Sequence, residues 1–208
     1  MQRSYTFLHH VVIYMKFTNS KSDETQIIEA CRKGKPWAQK MLYDLYAPKM
    51  MSVCYRYIPD YDTIHDILQD GFVKVFTNID SYREEGAFPG WMRRIFVTTA
   101  LEYLRKNNVL KSSENIDNYS SNIENSGSSV IEELSAEDIL NCISELSVGY
   151  RTVFNLYAIE GYSHSEIAEL IGISEVTSRS QYMRARKILQ QKVHSLFAFE
   201  YERRLQNY

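Results

Sequence analysis

Apolar residues recur at spacings of three and four along most of this chain. Ile64, Ile67, Leu68, Gly71, Phe72, Val75, Phe76 and Ile79 share one face of a long helix. Trp37, Met41, Leu42, Leu45 and Tyr46 form an earlier stripe, and Met50, Cys54, Tyr57 and Ile58 another. Residues 91–106 read as a further helix, preceded by a loop over 80–90 that holds Gly86 and Pro89. No run alternates strictly enough for a strand. The stripes are the expected core, and the fold class they predict is all-α.

The pattern fails over residues 111–129 (KSSENIDNYSSNIENSGSS), which are nearly all Ser, Asn and acid. Such a composition predicts a flexible linker. It splits the chain into two small helical domains: residues 23–111 and 130–196, joined by an acidic linker over 112–129. Residues 1–22 are an unassigned extension and 197–208 a tail. In the second domain, Ser163 and Glu166 make a capping-box pair before a short helix over 166–171. Gly172 suits the left-handed residue of a sharp turn. Ser174 then caps a helix that no Pro or Gly interrupts through Leu189. Ile167, Ala168, Leu170, Ile171 and Ile173 are expected to pack the two together as a helix-turn-helix. That unit offers its second helix to a DNA major groove. Glu175, Val176, Thr177, Arg179, Ser180 and Met183 are its candidate base contacts, and Arg184, Arg186 and Lys187 its candidate phosphate contacts. A plain helical hairpin with a basic surface is the blander alternative.

Charge sharpens this picture. The net charge of the 208 residues is only −2, but it is segregated. Residues 112–150 carry eight acids and no Lys or Arg, whereas residues 176–199 carry five bases and no acid. Arg93, Arg94, Arg105, Lys106 and Lys111 form a second basic cluster around Glu102. Two polyanion-facing surfaces on an acidic tether would carry charge in this way. The three cysteines are scattered and form no CxxC, which excludes a disulfide framework or a zinc module and fits a reducing, cytoplasmic setting. No apolar run approaches the ~20 residues of a membrane span. The stretch 7–15 is short and lacks a cleavage site, so neither a signal peptide nor direct membrane insertion is expected. The five His residues are spread, and no Ser/His/Asp order, phosphate loop or HExxH is present. The expectation is a protein that is not an enzyme, with no cofactor, no metal and no small-molecule substrate.

Two polar patterns bear on function. Asp66, Gln69 and Asp70 lie opposite the apolar stripe of the 64–79 helix, an arrangement suited to a basic protein partner. A solvated face with an Asp70–Lys74 pair is the blander reading, and the one these residues favour when taken alone. On the 91–106 helix, Arg94, Thr98, Glu102 and Arg105 form one polar stripe beside a loop containing Tyr82, Gly86, Phe88, Pro89 and Gly90. Single-stranded nucleic acid is held by such cationic grooves with pockets or platforms for unstacked bases. Trp91 fits either a base platform or a core anchor.

The run DTIHDILQDGFVKVF (62–76), then FPGWMRRIFVTTALEYLRK (88–106), then the helix-turn-helix after ELSVGYRTVFNLYAIEGYS (145–163) resembles bacterial sigma factors of the extracytoplasmic-function subgroup. The resemblance implies a region-2 domain over 23–111 and a region-4 domain over 130–196. It implies that Asp66, Gln69 and Asp70 bind core RNA polymerase. It implies further that Tyr82, Phe88, Arg94, Thr98, Glu102 and Arg105 recognise and help melt the −10 element of promoter DNA. Residues 175–177, 179, 180, 183, 184, 186 and 187 would read the −35 element, and an anti-sigma factor would cover these surfaces. Thr98 stands where the family usually has Asn, Glu102 where it has Asp, Ser178 where it has Val, and Gln181 where it has Arg. The alternative is a conventional helix-turn-helix regulator that binds DNA without polymerase. Met15 is a candidate start of translation.

Overall fold

The computed structural model describes residues 21–107 and 136–205, with side chains over 23–107 and 138–196. The linker expected over 112–129 and residues 1–20 lie outside them. Every described element is helical: α1 Lys21–Arg32, α2 Pro36–Tyr55, α3 Tyr61–Thr77, a 3₁₀ turn Ile79–Ser81, α4 Phe88–Lys106, α5 Ala136–Ser144, α6 Val148–Phe154 running into a π-turn at Asn155–Ile159, α7 His164–Ile171 and α8 Glu175–Leu205. The described residues form two compact units, one of residues up to 54 with 62–99, the other of 55–61 with those from 100 onward.

In the first unit, the described side chains of α1 that are buried are Ile27, Ile28 and Cys31, too few apolar positions for a periodic signal in the sequence. α2 starts with Pro at its first position, where the missing N–H has no intrahelical partner to lose. Its inner face is Ala38, Leu42, Tyr46, Ala47, Met50, Val53 and Cys54. Trp37, expected in the core, is instead 49% exposed, because the buried stripe runs one position further along the helix. α3 buries Ile64, Ile67, Leu68, Gly71, Phe72 and Val75, as its period predicts. At Gly71 the approach to α4 is tightest: a Cβ there would lie 2.3 Å from Phe96 Cε1. Phe72 meets Phe96 edge-on at 5.2 Å and Tyr43 at 4.6 Å. α4 begins at Phe88, three residues earlier than the sequence suggests, because Pro89 sits in the first turn and donates nothing the helix needs.

In the second unit, Cys142, Ile143, Leu146, Ala185 and Leu189 make the core, with Tyr150, Phe154, Ile159, Ile188 and Leu196 packed around it. Arg151 is 4% exposed and its Nη1 donates to the carbonyls of Ser144 and Leu146, at 2.5 and 3.2 Å. It thereby satisfies acceptors that the end of α5 leaves open. Burial pushes its guanidinium below its ordinary pKa.

Candidate nucleic-acid interface

The capping box read from the sequence is present in full. Glu166 N–H donates to Ser163 Oγ at 3.2 Å, and Ser163 N–H donates to the Glu166 carboxylate at 2.8 Å. The Ser163 N–H, and after it the Ser163 hydroxyl that donates to the same carboxylate at 2.8 Å, hold the Glu166 carboxyl below its usual pKa. Gly172 ends α7 at φ +75°, a conformation that favours glycine. Ser174 Oγ accepts the Thr177 N–H at 2.9 Å and so starts α8. Ile167 and Ile171 are buried in the turn, while Ala168, Leu170 and Ile173 are half-buried around them.

α8 is therefore sorted by face. Ser178, Ala185 and Leu189 point inward, and Glu175, Val176, Arg179, Ser180, Met183, Arg184, Arg186 and Lys187 are exposed. Val176 at 76% and Met183 at 59% are large apolar side chains left in solvent. Thr177 is half-buried and tied to Ser174. Arg179 is held by Glu175, with Nε at 3.2 Å and Nη2 at 2.5 Å from Oε1, so the first turn carries a preformed acid–base pair. Arg184 lies 3.4 Å from the Tyr150 hydroxyl.

On α4, Arg94, Glu102 and Arg105 are exposed and Thr98 half-buried, one polar stripe with a basic end. Tyr82 and Phe88, which the resemblance places among the −10 contacts, are 9% and 0% exposed. Apolar rings packed edge-on, Tyr82 against Phe88 at 5.1 Å and Phe88 against Tyr46 at 5.9 Å, gain more from one another than from water. These two rings form the floor of the loop. Trp91 remains half-buried, stacked on Phe88 at 5.5 Å with a 27° interplanar angle.

Sequence reasoning missed what closes this loop. Arg32, at the end of α1, donates to the Tyr82 carbonyl at 2.6 Å and pairs with Glu84 at 3.3 Å. The Tyr82 hydroxyl donates to the Gly86 carbonyl at 2.5 Å. No local pattern marks an arginine fifty residues away. It also missed Val73, which is 63% exposed on the face of α3 that carries Asp66, Gln69 and Asp70, all exposed. An apolar residue three positions after Asp70, on the polar side of the helix, was a readable signal.

Among the described residues no cluster of His, Cys, Asp or Glu could hold a metal ion. The three cysteines are buried, and burial pushes the Cys31 thiol up to about 11. Among the described residues no helix is long and apolar enough to cross a membrane.

Two family models match in this order: sigma-70 region 2 over residues 42–109, and sigma-70 region 4 over residues 136–189. An ECF RNA polymerase sigma-E factor of Escherichia coli (strain K12) is 30% identical over 180 residues, 82% of this chain and 94% of that protein. Its counterpart in Haemophilus influenzae is 31% identical over 180 residues, 82% of this chain and 95% of the relative. A solved structure of the sigma factor RpoE with the anti-sigma factor NepR from Bartonella quintana matches more loosely, at 22% identity and a TM-score of 0.45, over 74% of this chain and 96% of that one.

Proposed function

The chain belongs to the ECF RNA polymerase sigma factor family, and from that premise we propose which of its surfaces do the work of promoter recognition. A sigma factor of this family associates with RNA polymerase to recognise promoters and is itself a non-enzymatic initiation factor. In this chain Asp66, Gln69, Asp70 and Val73 form the docking face for core polymerase: two carboxylates and an amide for a basic partner, and an exposed apolar side chain to bury at the centre. Arg94, Thr98, Glu102 and Arg105 contact the −10 element beside a loop braced by Arg32, Tyr82 and Phe88. The exposed face of α8 reads the −35 element, with Arg179 and Met183 at base edges and Arg184, Arg186 and Lys187 on phosphates.

The observation that carries this reading is the sorting of α8, where all but one of the nine candidate contacts are exposed and Ser178 behind them is wholly buried. Opening DNA costs about 1.4 kcal/mol per base-pair step. A braced loop next to a cationic stripe offsets part of that cost by holding the extruded base. The protein acts in the cytoplasm, performs no catalysis itself, and is held inactive by an anti-sigma factor that covers these faces.

The docking face is tested by co-purification. The Asp66→Ala, Gln69→Ala double variant should lose core polymerase by at least tenfold in affinity, about 1.4 kcal/mol, with its helical circular dichroism unchanged. Undiminished co-purification would remove α3 from the interface.

A further inference from the structure

Ser178 is 0% exposed, on the inner side of α8 one turn beyond its cap. A hydroxyl there has left water and must find a partner inside the protein. That partner is His164, the first residue of α7, whose Nδ1 lies 2.9 Å from Ser178 Oγ. His164 is itself only 9% exposed. Its ring stacks on Tyr157 at 4.2 Å and 8°, and Tyr182 packs at 5.9 Å, itself 4.5 Å from Tyr157. Tyr157 belongs to the π-turn that leads into the helix-turn-helix, and Tyr182 is the next inward residue of α8 after Ser178 and Gln181.

We propose that His164 is a positioning residue for −35 recognition: its bond to Ser178 sets the rotation of α8 that points Glu175, Val176, Arg179 and Ser180 at the DNA. Apolar packing tolerates small rotations of a helix, because its attraction has no preferred direction. A hydrogen bond does not, since it weakens steeply as it bends. One residue of slip turns a helix by about 100°, which would strand both the hydroxyl and the imidazole without partners. The pin acts at the N-terminal turn of α8, directly behind the residues whose aim matters most. Burial, reinforced by Arg179 and opposed by Glu175, holds His164 below its usual pKa and so neutral near pH 7. The stacked ring fixes where Nδ1 points.

This inference rests on α8 being the helix that reads the −35 element. The test uses holoenzyme assembled from the full chain and core polymerase, transcribing a promoter library randomised across both elements. His164→Phe keeps a ring for Tyr157 and removes the bond, Ser178→Ala removes the hydroxyl, and His164→Asn returns a hydrogen-bonding atom near the place of Nδ1. His164→Phe and Ser178→Ala should each reduce discrimination among −35 sequences by about tenfold, while binding to non-specific DNA and selection at the −10 element stay as in the unaltered protein. His164→Asn should recover most of the discrimination. Arg179→Ala serves as the reference. Where Arg179→Ala shifts −35 selection and both pin variants leave it intact, the pin is refuted and the reading of α8 stands. Where the pin variants lose specific and non-specific binding together, His164 only supports the fold and the proposal fails. Where Arg179→Ala leaves −35 selection unchanged, the reading of α8 falls and takes this inference with it.

Discussion

At Gly71 two opposing effects can be weighed residue by residue. Alanine is the better helix former by about 1 kcal/mol. Its Cβ, however, would stand 2.3 Å from Phe96 Cε1, and Phe96 is 0% exposed and boxed in by Phe72. Overpacking of this kind costs about 1–3 kcal/mol, and with no space for the ring to retreat the upper part of that range applies. Gly71→Ala should therefore lower the stability to urea unfolding by about 1–2 kcal/mol net of the propensity gain. Gly90 in α4 is the control, since a Cβ there meets nothing within 4 Å. Gly90→Ala should be neutral or mildly stabilising. A Gly71→Ala protein as stable as the unaltered one would mean that α3 and α4 do not approach as closely as described.

Single elements were legible in the sequence to the degree that one physical cause fixed them. α3 reads cleanly because six of its buried residues recur at helical spacing, and α7 because its capping box and Gly172 are local chemistry. α1 was invisible: three buried residues among its described side chains give no period, and its stability comes from packing rather than pattern. α2 was seen as separate stripes around Pro48, although one helix runs from Pro36 to Tyr55 through that proline. Trp37 is the larger apolar side chain, but Ala38 is the residue one turn before the buried Leu42 and two before Tyr46, so at the start of α2 position decides burial and bulk does not. The candidate site divides in the same way. Outward positions of α8 follow from period alone, but Tyr82 and Phe88 turned inward because neighbouring rings claimed them. On α8 itself, base and phosphate contacts should separate by experiment. Arg179→Ala should change sequence preference at one or two positions, at about 1–3 kcal/mol for the lost contact. Lys187→Ala should weaken binding equally for all sequences and reduce the slope of affinity against salt by about one. Equal outcomes for the two would contradict the sorting of α8 into base-reading and phosphate-holding parts.

At the scale of the whole molecule, net charge near zero conceals two basic surfaces and an acidic stretch between them in sequence. Each proposed DNA-facing surface is small: a four-residue stripe on α4 and about three and a half turns of α8. Modest contacts of this size become selective when a shared scaffold holds both at once, because the second binding event is then intramolecular. In the function proposed above, the polymerase supplies that scaffold through the face of α3. A helix-turn-helix protein acting alone would need its affinity from α8 and a dimer partner, and would leave Asp66, Gln69, Asp70 and Val73 without a task. The measurement that bears most directly on this is run-off transcription by core polymerase on genomic fragments, with and without the purified chain. The chain should make core enzyme start RNA synthesis at a discrete set of sites sharing an upstream and a −10 element, while binding those fragments weakly when polymerase is absent. Tight, sequence-specific binding by the chain alone, with no new start sites when core enzyme is added, would contradict the account.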